Sequence, residues 1–225
     1  MKKIIAFSLM IVTVLSLLAG CKKSTKGVSE VNDCYARSYP HKIVVETTQQ
    51  FGSKTLASTT EVTRGIVGSD FVAKKKVSQE RLRSIEDGSG VDVYGPVETI
   101  NEEYWYREGK GLSSDKGKTW IEAGENFFPE KGKIAINLNT DLMDDISYAN
   151  GTLSFTVAKS NTKAFFGEGA AITEPVSVKI YTAGGVVTSV EMSWVEPENT
   201  VTGVEMTTVK VKSEYIYDQQ NITLN

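Results

Sequence analysis

Cys21 stands directly after Leu18-Ala19-Gly20, at the exit of an apolar run, and of all side chains in this sequence it points most directly to covalent chemistry. A thiol is a nucleophile, and small neighbours let an extended backbone enter a processing enzyme. The other reactive groups are sparse. His41 is the only histidine, so a histidine-pair zinc site is excluded, and two cysteines cannot build a cysteine-rich metal site. A Ser-His-Asp triad would have to use His41, beside Pro40 at a strand entrance, and no G-x-S-x-G elbow is present. Gly167-Glu168-Gly169 is too short to cradle a phosphate, and no P-loop or dinucleotide fingerprint occurs. The carboxylates Glu102-Glu103 and Asp144-Asp145 are adjacent and therefore diverge on a strand or helix, and Glu196 and Glu198 form no convincing pair either. No EF-hand spacing exists. These acids read as solvated surface. The expectation is a protein with no catalytic residue, no metal and no cofactor, hence not an enzyme.

The aromatic residues are more suggestive. Tyr104-Trp105-Tyr106, Trp120, Phe127-Phe128, Phe165-Phe166 and Trp194 fall on or beside predicted strands. Successive strand residues face opposite sides of a sheet, so the first triplet puts an aromatic ring on each side. The expectation is that Trp105, Trp120 and Trp194 line one concavity, with Phe165 and Phe166 as gate or plug. The competing reading is ordinary core and surface aromatics.

Ahead of Cys21 stand Met1-Lys2-Lys3 and the apolar stretch from Ile4. A basic start, an apolar run and small residues at its exit make a secretory signal peptide. That stretch, ending at Leu18, is shorter than the roughly 20 residues a membrane span needs. Leu18-Ala19-Gly20-Cys21 resembles the lipobox of bacterial lipoproteins. The resemblance implies a diacylglycerol on the Cys21 thiol, cleavage before it, and a protein anchored on the extracytoplasmic face of the cell membrane. The expected organisation is a signal peptide over residues 1–20, a lipidated cysteine and polar tether over 21–38, and a single β-rich domain over 39–225. Net charge is −3 for the whole chain and turns more negative once Lys2 and Lys3 are removed, which disfavours a nucleic-acid partner. With Cys21 lipidated, Cys34 has no partner for an intramolecular disulfide and is expected as a free or half-buried thiol.

Beyond Pro40 the chain is rich in Val, Thr, Ile, Tyr and Phe, punctuated by Gly, Asn and Asp. That pattern predicts a β-dominated fold. Strands are expected over Lys42 to Gln50, Thr55 to Ile66, Asp70 to Val77, Val91 to Tyr94, Val97 to Ile100 and Glu103 to Arg107. Further strands are expected over Lys118 to Glu122, Thr152 to Ala158, Val176 to Thr182, Val186 to Trp194 and Val204 to Tyr217. Alternation places Val178 and Ile180 on one face with Val190 and Trp194. A three-residue Ala183-Gly184-Gly185 loop, pairing Val178 with Val190, satisfies that sharing. A change of phase along the last strand predicts a β-bulge near Thr208-Val209. Helix is expected at Thr140 to Tyr148, with Thr140 as N-cap, and as a single turn at Thr162 to Gly167. Ser78 to Glu86 suits helix or strand.

A lipobox, a polar spacer and then a run of long strands is similar to the family of the lipoprotein carrier and the mycobacterial lipid-binding lipoproteins. The local features that carry the likeness are Glu103-Tyr104-Trp105-Tyr106-Arg107-Glu108-Gly109, Gly117-Lys118-Thr119-Trp120 and Tyr215-Ile216-Tyr217-Asp218. The resemblance implies a strongly curved antiparallel sheet, a half-barrel, with few short helices in this chain; a β-sandwich is the alternative. It also implies a non-enzymatic surface lipoprotein that binds a lipid or hydrophobic peptide in the concavity. The other function class is a structural or protein-interaction module of the cell envelope that holds no small ligand.

Overall fold

The computed structural model describes residues 25–51, 54–86, 92–122, 138–167, 172–196, 207–219 and 222. The expected signal peptide and Cys21 lie outside the described residues, as do Phe127-Phe128 and Glu198.

Ten strands make one antiparallel sheet. In chain order they are β1 (Lys42–Phe51), β2 (Lys54–Val67), β3 (Asp70–Glu86), β4 (Asp92–Arg107), β5 (Gly111–Ser113), β6 (Asp144–Ala149), β7 (Thr152–Val157), β8 (Val176–Ala183), β9 (Val186–Glu196) and β10 (Thr207–Ile216). Across the sheet they stand in the order β5-β4-β3-β2-β1-β10-β9-β8-β7-β6, so the sheet is open and the chain termini of the fold meet at its middle. A single sheet rather than two packed layers sets aside the sandwich alternative.

Residues 25–37, expected as flexible tether, instead form helix α1 (Thr25–Arg37). Val28, Val31 and Tyr35 recur at helical spacing and are buried, with Cys34 beside them. The expectation failed because the segment is polar in bulk; its apolar residues are few but all on one stripe. Helix α1 packs on β6, β7, β8 and β9. A helix is about 10 Å across and four strands spaced about 4.8 Å apart span little more, so one helix is wide enough to pack on all four. The face that α1 touches is the inner face.

The core lies between α1 and that half of the sheet. Val31, Met143, Leu153, Val157, Val176 and Val187 are fully buried there, with Phe155, Val178, Ile180 and Val190. Each such side chain stabilises the fold by about 1.5–3 kcal/mol relative to exposure. The short helix α2 (Thr162–Phe166) adds Phe165 and Phe166 to the same cluster.

The β8–β9 hairpin buries the expected residues by a different device. Its loop is the two-residue Gly184-Gly185, with φ of 59° and 79°, which closes the pair Ala183–Val186. A register shift beyond Thr182–Val187 then takes up Thr188 as an extra residue, and Ile180 pairs with Val190, and Val178 with Met192. The bulge restores the phase that the tight turn alone would have spoiled. No bulge occurs near Thr208-Val209: β10 pairs without a break with both β1 and β9. The three short strands expected between Val91 and Arg107 are one strand, β4, whose register slips once opposite Leu82 and Ser84, close to Pro96. Ser78 to Glu86 is extended, as the second half of β3.

The expected helix at Thr140 to Tyr148 is a single 3-10 turn over Thr140–Leu142, followed by β6. Asn139, not Thr140, caps it, its side-chain oxygen accepting from the Asp141 N–H at 3.0 Å. Asn150-Gly151, both at positive φ, makes the hairpin turn that commits the preceding residues to a strand. Lys118 to Glu122 is not a strand either, although Ile121 bridges Leu112. The Asp115 carboxylate accepts from the Lys118 and Thr119 backbone N–H groups at 3.0 and 2.9 Å, curling the chain into a turn.

Candidate functional site

Helix α1 covers only one half of the inner face, and the register shows what continues beyond it. Tyr215 of β10 is opposite Ile43 of β1, which is opposite Val62 of β2; Val62 is opposite Lys75 of β3, which is opposite Tyr104 of β4. Directly paired residues point to the same side. Ile43, Val45, Val62, Val77, Tyr104 and Tyr106 therefore share the inner face across β1–β4, and all are half-buried. Among the described residues no helix packs on these strands to the extent that α1 packs on β6–β9. The opposite, outer face carries Glu46, Glu61, Lys76, Lys179, Glu191 and Lys212 across its middle, and buries Val72 and Trp105 at its β3–β4 end. Its grooves, of about 430, 420 and 410 Å³, are lined largely by such polar and charged groups.

The expected aromatic set is divided between these faces. Trp194, on β9, faces inward, packs against the core and donates to the Glu196 carboxylate at 3.1 Å. Phe165 and Phe166 join the same cluster: Phe165 lies 5.6 Å from Phe155 and 4.9 Å from Phe166, ring centre to ring centre. Trp105 pairs with Lys74 and Ser113 on the outer face. It is 3% exposed, with the Lys74 ammonium 5.0 Å over its ring and Lys74 ion-paired to Glu103. Trp120 sits half-buried in the turn after β5. The three tryptophans thus do not line one concavity. Odd and even strand positions diverge, and Trp105 is outward where its neighbours Tyr104 and Tyr106 are inward.

Where the covered and open halves meet, the structure gathers residues that strand patterning alone did not single out. Arg64 of β2 is inward, 4% exposed, and pairs with Ala73 of β3. The His41 carbonyl accepts from its backbone N–H at 2.7 Å. Tyr35 of α1 is buried nearby, and Tyr215 of β10 is half-buried against the same cluster. Burial pushes the Tyr215 phenol up to about 12, with the Tyr217 hydroxyl adding to the rise and Arg64 opposing it. Burial pushes the Tyr35 phenol up as well, assisted by Tyr215 and Tyr217. Desolvation lowers the Arg64 guanidinium, and Tyr215 partly offsets that. The signal for Arg64 was legible in principle: in Leu56, Ser58, Thr60, Val62, Arg64 it is a charge at an inward position of an alternating strand.

Among the described residues, no group of three or more His, Cys, Asp and Glu side chains comes together to hold a metal. Glu102 and Glu103 pair with Val77 and Lys76 and so point to opposite faces. Cys34 is a buried free thiol. No described helix is long and apolar enough to cross a membrane.

No family model matches the chain, and no curated protein does. Among solved structures, the chain is similar to a DUF1329 family protein from Desulfovibrio piger, at 9% identity and a TM-score of 0.28, over 89% of this chain and 95% of that one. It is also similar to a domain described as an outer membrane lipoprotein-sorting protein domain from Vibrio parahaemolyticus, at 9% identity and a TM-score of 0.28, over 87% and 94%. Scores this low carry no site or chemistry from those proteins to this chain.

Proposed function

We propose that this protein is a non-enzymatic, lipid-anchored protein of the bacterial cell envelope that binds an apolar or amphipathic ligand on the open half of its inner face. One observation carries the reading. Among the described residues, helix α1 packs on the inner face over β6–β9, whereas over β1–β4 the same face presents half-buried Ile43, Val45, Val62, Val77, Tyr104 and Tyr106, with the charged Lys75 and Glu102 between them. Aliphatic and tyrosine surface of that kind gains about 25 cal/mol for each Å² it withdraws from water. The anchor follows from Leu18-Ala19-Gly20-Cys21, and two or three acyl chains hold a protein to a bilayer where one binds only marginally.

The test is native mass spectrometry of the chain from residue 22 onward, purified without detergent, followed by lipid extraction. The expected result is added mass that the extraction removes and that returns when the emptied protein is refilled with fatty acid or phospholipid. A ligand-free mass before and after such incubation would leave the protein-interaction module, with its polar outer grooves as the contact surface.

A further inference from the structure

Arg64 is a positive charge in a place that offers it little. The residue is 4% exposed, and among the described residues its Nη1 has no hydrogen-bond partner. Across and along the strands its inner-face neighbours are His41, Ile43, Val62, Ala73 and Lys75, so none is a carboxylate. Glu61, the acid closest in sequence, lies on the outer face opposite Lys76 and ion-pairs with Lys42 at 3.0 Å. A buried guanidinium without a counter-charge is costly, and an anion that accepts from it removes most of that cost. A second donor lies at the same junction. Tyr35, 3% exposed, has a hydroxyl with no partner among the described residues, and Tyr215 bridges the two places: it packs on the cluster that holds Tyr35, and it stands in the inner-face row Tyr215–Ile43–Val62, next to the position of Arg64. Two buried donors without acceptors, at the edge of an open apolar face, make a receptor for a group rich in acceptors.

We propose that Arg64 and Tyr35 form a subsite for the anionic head, carboxylate or phosphate, of a single-chain amphiphile whose chain lies along the inner face of β1–β4. This rests on the ligand-binding reading above and adds the charge of the ligand and its orientation: head at the foot of α1, chain towards Val45, Val77 and Tyr104. The guanidinium gives parallel N–H donors that match a carboxylate or phosphate edge.

Titration calorimetry on the chain from residue 22 onward, which keeps every described element, separates the contributions with dodecanoate, 1-dodecanol and acetate. Dodecanoate is expected to bind at least tenfold tighter than 1-dodecanol, and acetate to bind at least a hundredfold more weakly. Arg64→Met should lose at least tenfold for dodecanoate while leaving 1-dodecanol within about twofold. Tyr35→Phe, which keeps the ring and its packing, should lose about threefold for dodecanoate only, and it serves if Arg64→Met does not fold. Equal binding of acid and alcohol by the wild type overturns the subsite and leaves the apolar reading standing. Binding of neither overturns both. Acetate as tight as dodecanoate marks a small-anion site unrelated to the apolar face and overturns the amphiphile.

Discussion

The Ser38 hydroxyl donates to the Cys34 carbonyl at 2.7 Å and accepts from the Val187 N–H at 3.0 Å, so one buried oxygen finishes α1 and ties it to β9. Ser38→Ala leaves both backbone groups without their partner, and is expected to cost about 1–3 kcal/mol. The denaturant midpoint should fall with an unchanged slope; a loss under about 0.5 kcal/mol would show that other groups take over. Tyr35 and Tyr215 predict a pH effect at the alkaline end. Their phenols are held above the ordinary 10.0, so the folded state keeps protons that the unfolded chain releases. The stability they contribute is complete below pH 10 and is lost as pH rises towards 12, by on the order of 2 kcal/mol for Tyr215. Urea unfolding between pH 9 and 12 should show this slope in the wild type and a shallower one in Tyr215→Phe. Equal slopes would contradict it.

Helix α1 lies against β6 closely enough that a glycine is needed. A Cβ built on Gly27 would overlap the Cβ and Cγ of Tyr148. Helix propensity alone says that Gly27→Ala should stabilise by about 1 kcal/mol. Overpacking at a rigid contact costs about 1–3 kcal/mol, and this contact is to the inner atoms of Tyr148, which cannot swing away. The expected outcome is net destabilisation, read as a lower melting temperature. A more stable Gly27→Ala would mean that α1 slides freely over the sheet. The same element changes the reading of the hairpins beside it. Arg37, in its last turn, donates from Nε to the Gly185 carbonyl at 3.1 Å, so the helix end is keyed to the β8–β9 turn.

At the scale of the molecule, the sheet is built from its centre outwards: β1 and β10 pair in the middle, and β5 and β6, consecutive in sequence, stand at opposite edges. Only the β1–β10 ladder joins strands far apart in the chain, the other pairings being between consecutive strands, so that one closure carries the largest loop entropy of the fold. Helix α1 begins at Thr25, four residues after Cys21. Cys21→Ser in the native host is expected to move the protein out of the membrane fraction or leave it uncleaved. Full membrane retention with an unchanged mature mass would overturn the anchor.

Period-two alternation was enough to read the β class, the strands β1 to β3 and β7 to β10, β4 in three pieces and the buried face of the β8–β9 hairpin, but not β5 or β6, because a sheet with one polar side imposes that period on its longer strands. Val178, Ile180 and Val190 needed nothing more. Tertiary packing decided the rest. Residues 25–37 are too polar to announce a core helix, and become one because the sheet supplies the apolar partner for Val28, Val31 and Tyr35. Thr140 to Tyr148 follows the hairpin turn after it, against its own helical pattern. Trp105 and Trp194 look alike as aromatics on strands, yet only register across the sheet says that one faces out beneath Lys74 and the other in towards the core. The junction of Arg64, Tyr35 and Tyr215 draws on β2, α1 and β10, and a charge is recognised as unpaired only when every neighbour that could have paired with it is in place.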